Sequence, residues 1–259
     1  TQTISHNLGS VPGMMLVKCR DNGGEWRVFH TSVGNTKGGF LAENLAFDDD
    51  VYWNDTTPTS TVFTVGNKSD TNGNGLNYIA YLFANNNGDG EFGPDGDQDI
   101  IKCGTYTGNG SDNGPTINLG FEPQFFMFTK SDNTGSWFVY DTMRGFTSDS
   151  SVGDDRGPYL NWDLNSAEAT SNRIKPTPTG VKIHDSNDTW NQSGHKFIYM
   201  AIRRGSLNTP ESASEVFAID GEADTSPSPP SYNAPFIVDM FLGRRNAAGT
   251  DSWYLFDRT

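Results

Sequence analysis

The sequence predicts an all-β protein: tandem antiparallel β-sandwich domains related by an internal repeat. One pattern recurs at residues 12–31, 123–142 and 235–259, an apolar run after a proline, then a polar turn, then a run led by tryptophan. The composition agrees, because 12% aromatic residues with 29 glycines and 13 prolines is typical of a chain with many strands and turns.

Each copy of this pattern predicts a β-hairpin, since two apolar, aromatic-rich runs flank a turn rich in Asp, Asn and Gly. In the second copy Trp137, Val139 and Asp141 are expected on one face of the sheet, and Phe138 and Tyr140 on the other. A tryptophan that recurs in every copy favours a role in the core. An aromatic platform for a sugar ring is the alternative.

The order of the other elements also recurs. Pro12 and Pro123 are 111 positions apart, as are Trp26 and Trp137. The strand signals at 58–65 and 78–83 return at 176–183 and 197–202. We therefore predict a first sandwich repeat at 1–104, a second at 105–205, a Pro/Ser-rich linker or extended arm at 206–234, and a closing hairpin at 235–259. That hairpin is either a partial third repeat or a pair of strands added to the second.

Two segments of the first repeat lie outside its hairpin and carry signals of their own. Residues 40–53 could form a helical turn or an edge strand, and the sequence leaves both open. Residues 78–84, YIAYLFA, are almost entirely apolar, which predicts a central strand with neighbours on both sides.

The net charge of −14 bears on which partners the chain can have. Such a surface repels nucleic-acid phosphates and anionic membranes, so neither is expected as a partner. No apolar run approaches the roughly 18–20 residues that would cross a membrane, so membrane insertion is not expected either.

Cys19 and Cys103 each sit in a strand-like run. Two buried free thiols are favoured over a disulfide, because a stapled secreted scaffold carries more cysteines. No signal peptide is evident. The chain begins TQTISHNLG without a methionine and ends inside the third copy of the repeated pattern, so we expect a piece of a longer polypeptide.

An acidic loop at residues 85–99 offers carboxylates at alternate positions. Converging hard oxygen ligands are what calcium requires, and the candidates are Asp89, Glu91, Asp95, Asp97 and Asp99. The spacing is not that of an EF-hand. An acidic loop without a specific metal is the favoured alternative, and no other cofactor is expected.

No catalytic motif is present. His6, His30, His184 and His195 lack metal-ligand spacing, and nucleophile-elbow, P-loop and dinucleotide patterns are missing. His30, Asp141 and Asp257 share one position of the repeat, which indicates a structural role. Paired carboxylates for glycoside cleavage stay open because the 32 acidic residues allow many pairs. We do not expect an enzyme.

Three tryptophans outside the repeated pattern stand beside Asn or Asp. Trp53, Trp162 and Trp190 are therefore the candidate ligand-binding residues, because a lectin needs exposed aromatic rings flanked by polar groups. Each could equally be buried, and burial is the favoured alternative.

Several strings, taken in order, resemble a known family. They are NLGSVPGMMLVK, PTSTVFTVG, NYIAYLFA, IIKCGTYTGNG, LGFEPQFFMFTK, WFVYDTMRG and GHKFIYMAIRRG. As a set, over residues 4–205, they resemble a domain of unknown function that recurs in proteins assigned to the virions and tails of marine tailed bacteriophages, cyanophages included. The family has no established catalytic residues to carry over.

The resemblance implies a phage virion protein, and a tail fibre or spike that adheres to the host surface is the leading hypothesis. The alternatives are a capsid decoration or other purely structural virion protein, and a carbohydrate-binding module. The implied partners are other virion proteins, further copies of the chain (a trimer is compatible) and a host-surface glycan. The implied location is the virion.

Overall fold

A computed structural model describes residues 1–85, 98–147, 157–171 and 173–205, together with 212, 214, 217–219, 234, 240–243 and 254–257. The chain divides into two compact units, Thr1–Leu207 and Asn208–Thr259. Nearly all the described residues lie in the first unit, which is all-β apart from three short helical turns.

Eleven strands cover the first part of the chain in the order β1 (Gln2–Ser5), β2 (Pro12–Cys19), β3 (Arg27–His30), β4 (Lys37–Phe40), β5 (Asp48–Asp49), β6 (Val62–Val65), β7 (Tyr78–Ala84), β8 (Ile101–Thr107), β9 (Thr116–Asn118), β10 (Pro123–Lys130) and β11 (Phe138–Asp141). Seven follow: β12 (Pro158–Asn161), β13 (Ala169–Thr170), β14 (Ile174–Thr177), β15 (Gly180–Ile183), β16 (Lys196–Arg203), β17 (Met240–Gly243) and β18 (Tyr254–Asp257). A 3₁₀ turn (Val51–Trp53) and the helices α1 (Ser69–Asn72) and α2 (Asp188–Asn191) are each about one turn long.

Two large antiparallel sheets form the first unit. One has five strands in the order β5-β4-β3-β2-β7, and the other has six in the order β13-β12-β11-β10-β16-β8. Two small sheets accompany them, β1-β6 and β14-β15-β9. The predicted hairpins are confirmed, because β2 pairs with β3, β10 with β11, and β17 with β18 in the second unit.

The two large sheets pack face to face, and their facing side chains make one shared core. The five-stranded sheet contributes Met14, Leu16 and Val28, and the six-stranded sheet contributes residues of the same apolar kind: Met127, Val139, Ile198 and Met200. The Trp137 indole N–H also donates to the Phe40 carbonyl across this interface, at 2.7 Å. This arrangement is a β-sandwich, as the sequence predicted.

The outer face of each large sheet has a core of its own. Met15 and Phe29 pack with Phe63 of the β1-β6 sheet and with Trp53. On the six-stranded sheet an aromatic cluster packs against the β14-β15-β9 sheet and α2; it contains Phe126, Phe128, Phe138, Tyr140, Phe197, Tyr199 and Trp190. The alternation predicted for β11 is therefore confirmed, with Val139 on the inner face and Phe138 and Tyr140 on the outer.

The predicted division into two sandwich domains differs from the structure. The boundary between residues 104 and 105 falls inside β8, which pairs with β16 along all seven of its residues. The two halves supply one sheet each to a single compact unit, so the sandwich forms between them. Similar strand order in the halves, β3-β2-β7 and β11-β10-β16, is consistent with duplication, which stays a prediction. Of the linker predicted at 206–234, almost all lies outside the described residues.

Three smaller expectations have an outcome among the described residues. For residues 40–53 the sequence allowed either a helical turn or an edge strand, and the structure contains both. Strand β5 is followed by a 3₁₀ turn, and the Asp50 carboxylate caps this turn by accepting from the Val51 N–H. Strand β7 was predicted to be central, and among the strands that the structure describes it is instead the last of its sheet. Cys19 and Cys103 are free and buried, as favoured.

Candidate functional site

The three candidate tryptophans are placed very differently by the fold. Trp53 is 0% exposed, and its indole N–H donates to the Lys37 carbonyl at 2.9 Å. Trp190 is 6% exposed, and its indole N–H donates to the Tyr140 hydroxyl at 3.1 Å. Each of these two rings closes an outer core, so the favoured alternative, burial, holds for Trp53 and Trp190. Trp162 alone of the three is accessible, at 51% exposed.

Trp162 lines an open groove of about 510 Å³ on the inner face of the six-stranded sheet. The cross-strand pairs Phe125–Asp141 and Val139–Leu160 form part of its lining. Leu160 lies in β12, and Trp162 and Leu164 follow in the turn and loop where that strand ends. The complete lining is Phe125, Val139, Asp141, Arg144, Leu160, Asn161, Trp162, Leu164 and Ser166.

Local hydrogen bonds hold the backbone at Trp162 in place just after β12 ends. The Trp162 N–H donates to the Trp137 carbonyl at 2.9 Å, and the Trp137 N–H donates to the Asp163 carboxylate at 3.0 Å. Trp137 is itself anchored in the shared core. The exposed ring of Trp162 therefore stands on a rigid base, which lowers the entropy lost when a ligand binds.

A charged cluster lies at the groove beside this apolar lining. The Asp141 carboxylate accepts from the Arg144 guanidinium and, at 2.9 Å, from the Arg144 backbone N–H. The same guanidinium lies 3.3 Å from the Glu168 carboxylate. The groove lining thus combines an aromatic face and aliphatic side chains with the Arg144 cation and the Asp141 carboxylate, which can exchange hydrogen bonds with hydroxyl groups. Glu168 pairs with Arg144 from outside this lining.

Sequence reasoning found Trp162 and missed the residues around it. Leu160 and Leu164 stood two positions on either side of Trp162 in the sequence, but β12 ends at Asn161, so strand alternation did not place all three side chains. The Asp141–Arg144 pair was visible as an acid and a base three positions apart. The pairing of β11 with β12 brings Trp162 and the Asp141–Arg144 pair to the same groove, and sequence spacing alone does not show that pairing.

The strongly shifted titratable groups lie in the cores and away from this groove. Burial lowers the pKa of His30 from its ordinary value of 6.5 to about 4. The His30 Nε2 faces the Tyr199 carbonyl at 3.0 Å and its Nδ1 accepts from the Ser32 N–H at 3.2 Å, which defines a neutral ring with the proton on Nε2. Burial also raises the pKa of the Cys103 thiol well above its usual range, so that thiol is not a nucleophile.

The candidate calcium ligands Asp89, Glu91, Asp95 and Asp97 lie outside the described residues, and Asp99 lies within them, just before β8. Across the part of the chain that the structure describes, no group of three or more His, Cys, Asp or Glu side chains could hold a metal ion. Calcium at this loop stays a prediction. The described residues likewise contain no helix long and apolar enough to span a membrane.

No curated protein and no solved structure matches the chain. A family model, the domain of unknown function DUF7483, matches residues 1–204, which is nearly all of the first compact unit. The chain therefore belongs to the DUF7483 family.

Proposed function

We propose that this chain is the adhesive part of a phage virion protein, a tail fibre or spike, and that it binds a host-surface glycan in the Trp162 groove. The phage context is supported by the family resemblance of residues 4–205. The site is supported by a single observation, the exposed Trp162 ring held on a rigid base beside the Asp141–Arg144–Glu168 cluster.

The groove lining is complementary to both chemical surfaces of a sugar ring, the apolar C–H face and the polar hydroxyl groups. The C–H face of a pyranose is apolar and packs on an aromatic ring, and Trp162 supplies that ring with Leu160 and Leu164 beside it. Sugar hydroxyls both donate and accept, and carboxylates with a guanidinium meet both needs. An amphipathic ligand fits this lining better than a purely apolar one.

The proposal is one of binding without catalysis. Asp141 and Glu168 both pair with Arg144, and the role left to them is to hold hydroxyl groups. Glycoside cleavage needs one carboxylic acid and one carboxylate on opposite sides of the bond, whereas these two carboxylates share one cation. In the particle, the partners would be other virion proteins and further copies of the chain.

Glycan binding is tested with the variant Trp162→Ala and the control Leu45→Ala, which removes another exposed apolar side chain, 47% exposed and outside the groove lining. The purified chain is titrated against host-surface polysaccharide by biolayer interferometry. We expect Trp162→Ala to weaken binding by about 30-fold, because truncating a tryptophan anchor costs about 2 kcal/mol or more. The control should bind as the native chain does.

Either of two results would overturn the glycan site: Trp162→Ala and the native chain binding equally, or Leu45→Ala losing as much affinity. Thermal unfolding of both variants checks that the fold is intact. Location on the virion is tested separately by immunogold electron microscopy of purified particles. Label at the tail or fibre tips supports adhesion, and label over the capsid contradicts it in favour of decoration.

A further inference from the structure

Strand β7 ends the five-stranded sheet with an exposed edge. It pairs with β2 on one side, and within the described residues no strand pairs with its other side. Its side chains are unusually exposed for an apolar strand, with Ile79 at 38% and Tyr81 at 49%. This edge is therefore a place where a further strand could add.

The backbone groups that face outward can be identified from the ladder. The Arg20 N–H donates to the Asn77 carbonyl and the Asn85 N–H donates to the Val11 carbonyl, so odd-numbered residues of this segment bond toward β2. Because hydrogen-bonding direction alternates along an antiparallel strand, the N–H and C=O groups of Tyr78, Ala80 and Leu82 point to the unpaired side. These are three donors and three acceptors in regular array.

The usual protection of a sheet edge is missing from β7. Natural edge strands carry Lys, Pro or inward charges that block further pairing. The sequence of β7, YIAYLFA, has none of these, whereas β8, the edge of the six-stranded sheet, carries Lys102. The Tyr81 ring packs beside Trp26 at 5.7 Å, which extends the exposed apolar surface.

The other half of the molecule shows how such an edge is completed. Strand β16, which occupies in its sheet the place that β7 has in the other, pairs antiparallel with β8 along seven residues. With β8 in place, Ile198 and Met200 of β16 are almost fully buried. An added antiparallel strand is thus already the way this fold covers the corresponding edge.

We propose that two copies of this chain pair antiparallel through β7, about a two-fold axis at Ala80. In that register Ala80 lies opposite Ala80 of the second copy, and Tyr78 lies opposite Leu82. The backbone N–H and C=O groups of all these residues point away from β2, so each pair exchanges two hydrogen bonds. On the exposed face Ile79 lies opposite Tyr81, an aromatic and β-branched pair that stabilises antiparallel sheets. The edge is therefore self-complementary, as a two-fold interface must be.

Charge does not oppose this contact locally. The chain carries a net charge of −14, but β7 has no charged residue, and the residue beside Ile79 on β2 is Lys18. The remaining repulsion between two acidic chains acts at longer range and is screened by salt. We therefore expect pairing to strengthen as salt is raised from low to physiological concentration.

The register is tested by cross-linking Ala80→Cys in the full chain under a mild thiol oxidant such as diamide. Opposed residues of a hydrogen-bonded antiparallel pair have Cα atoms about 5.5 Å apart, which is within disulfide range. The matched control is Leu82→Cys, because the two Leu82 positions lie four residues apart along the strands, about 13 Å. The native Cys19 and Cys103 are buried and should stay unreactive.

We expect Ala80→Cys to give a cross-linked dimer on a non-reducing gel and Leu82→Cys to stay monomeric. Equal cross-linking of both variants, or of neither, would overturn the pairing. The assembly itself is tested by sedimentation equilibrium of the native chain, with an expected mass of twice 28.4 kDa at high concentration.

Two charge variants complete the sedimentation test. Ile79→Lys should shift the chain to monomer, and the control Leu45→Lys, at a similarly exposed apolar position, should leave the dimer intact. A native chain that stays monomeric at about 100 µM, far above the micromolar range of a weak interface, contradicts the proposal. So does a trimer, and so does a dimer that Ile79→Lys leaves unchanged.

Discussion

Strands β7 and β16 are alike in sequence and unlike in surroundings. Both are apolar runs rich in aromatic and β-branched residues. Each pairs with the first strand of a hairpin, β7 with β2 and β16 with β10. Ile198 in β16 is 1% exposed, but Ile79 in β7 is 38% exposed. Ile198 packs in the shared core and has β8 beside it, whereas Ile79 is not part of that core and has no strand beside it among the described residues. An apolar run thus predicts that a strand tends to be buried, but the elements packed around the strand determine whether its side chains are buried.

The largest expected effect is on stability, when a lysine is placed in β16 and at the corresponding position of β7. Ile198→Lys places an ammonium group in the shared core and should prevent folding, because an unpaired buried charge costs several kcal/mol. Ile79→Lys should change the free energy of unfolding of the monomer by only about 0.5 kcal/mol, as exposed substitutions do. Urea denaturation at low protein concentration measures both. Similar losses would show that β7 is covered as fully as β16.

The next effect tests the contact between β16 and the opposite sheet, through His30. Its pKa is lowered by burial from 6.5 to about 4, so the unfolded chain binds a proton more readily than the folded chain. The stability this site provides is complete above pH 6.5 and is lost as pH falls toward 4, by about 3 kcal/mol.

The His30 effect is measured by urea denaturation between pH 7 and pH 4, with His30→Gln as the control. The glutamine amide can still donate toward the Tyr199 carbonyl but does not titrate. We expect the variant to have a shallower decline of stability across this range. Parallel curves for the two proteins would contradict the assignment of a neutral, buried His30.

The smallest expected effect tests how closely β8 packs against β16. A Cβ at Gly104 would lie 2.3 Å from the Tyr199 hydroxyl oxygen and 2.6 Å from its ring, so Gly104→Ala forces the β8–β16 pair apart locally. We expect a loss of about 1–3 kcal/mol, the usual cost of overpacking. The exchange of amide hydrogens on β16 should also become faster. Unchanged stability would mean that the Tyr199 ring moves aside freely.

Local patterns in the sequence predicted the strands well. The three hairpins and the two faces of β11 follow from alternation of side chains and from turn residues, and both act over a few positions. The same local signals could not locate the domain boundary. Gly104 resembles a turn residue between units, yet it lies in the middle of β8, where a close tyrosine ring requires glycine.

The candidate site shows the same limit. Trp53, Trp162 and Trp190 have similar polar neighbours in the sequence, and only Trp162 is exposed. Trp53 and Trp190 lie beneath the small outer layers of the sandwich. Trp162 follows β12, next to the last strand of the six-stranded sheet, where an open groove borders the inner face. Neighbours along the chain carry no information about which layer stacks above a residue.

The sequence by itself determined the all-β class, the hairpins and the free, buried cysteines, because these depend on alternation, turn chemistry and composition. Only the tertiary structure decided that the two halves share one core, that β7 is an edge strand, and that Trp162 faces solvent. These depend on which faces pack together. Burial is a property of contacts between residues far apart in the chain, and short-range patterns do not contain it.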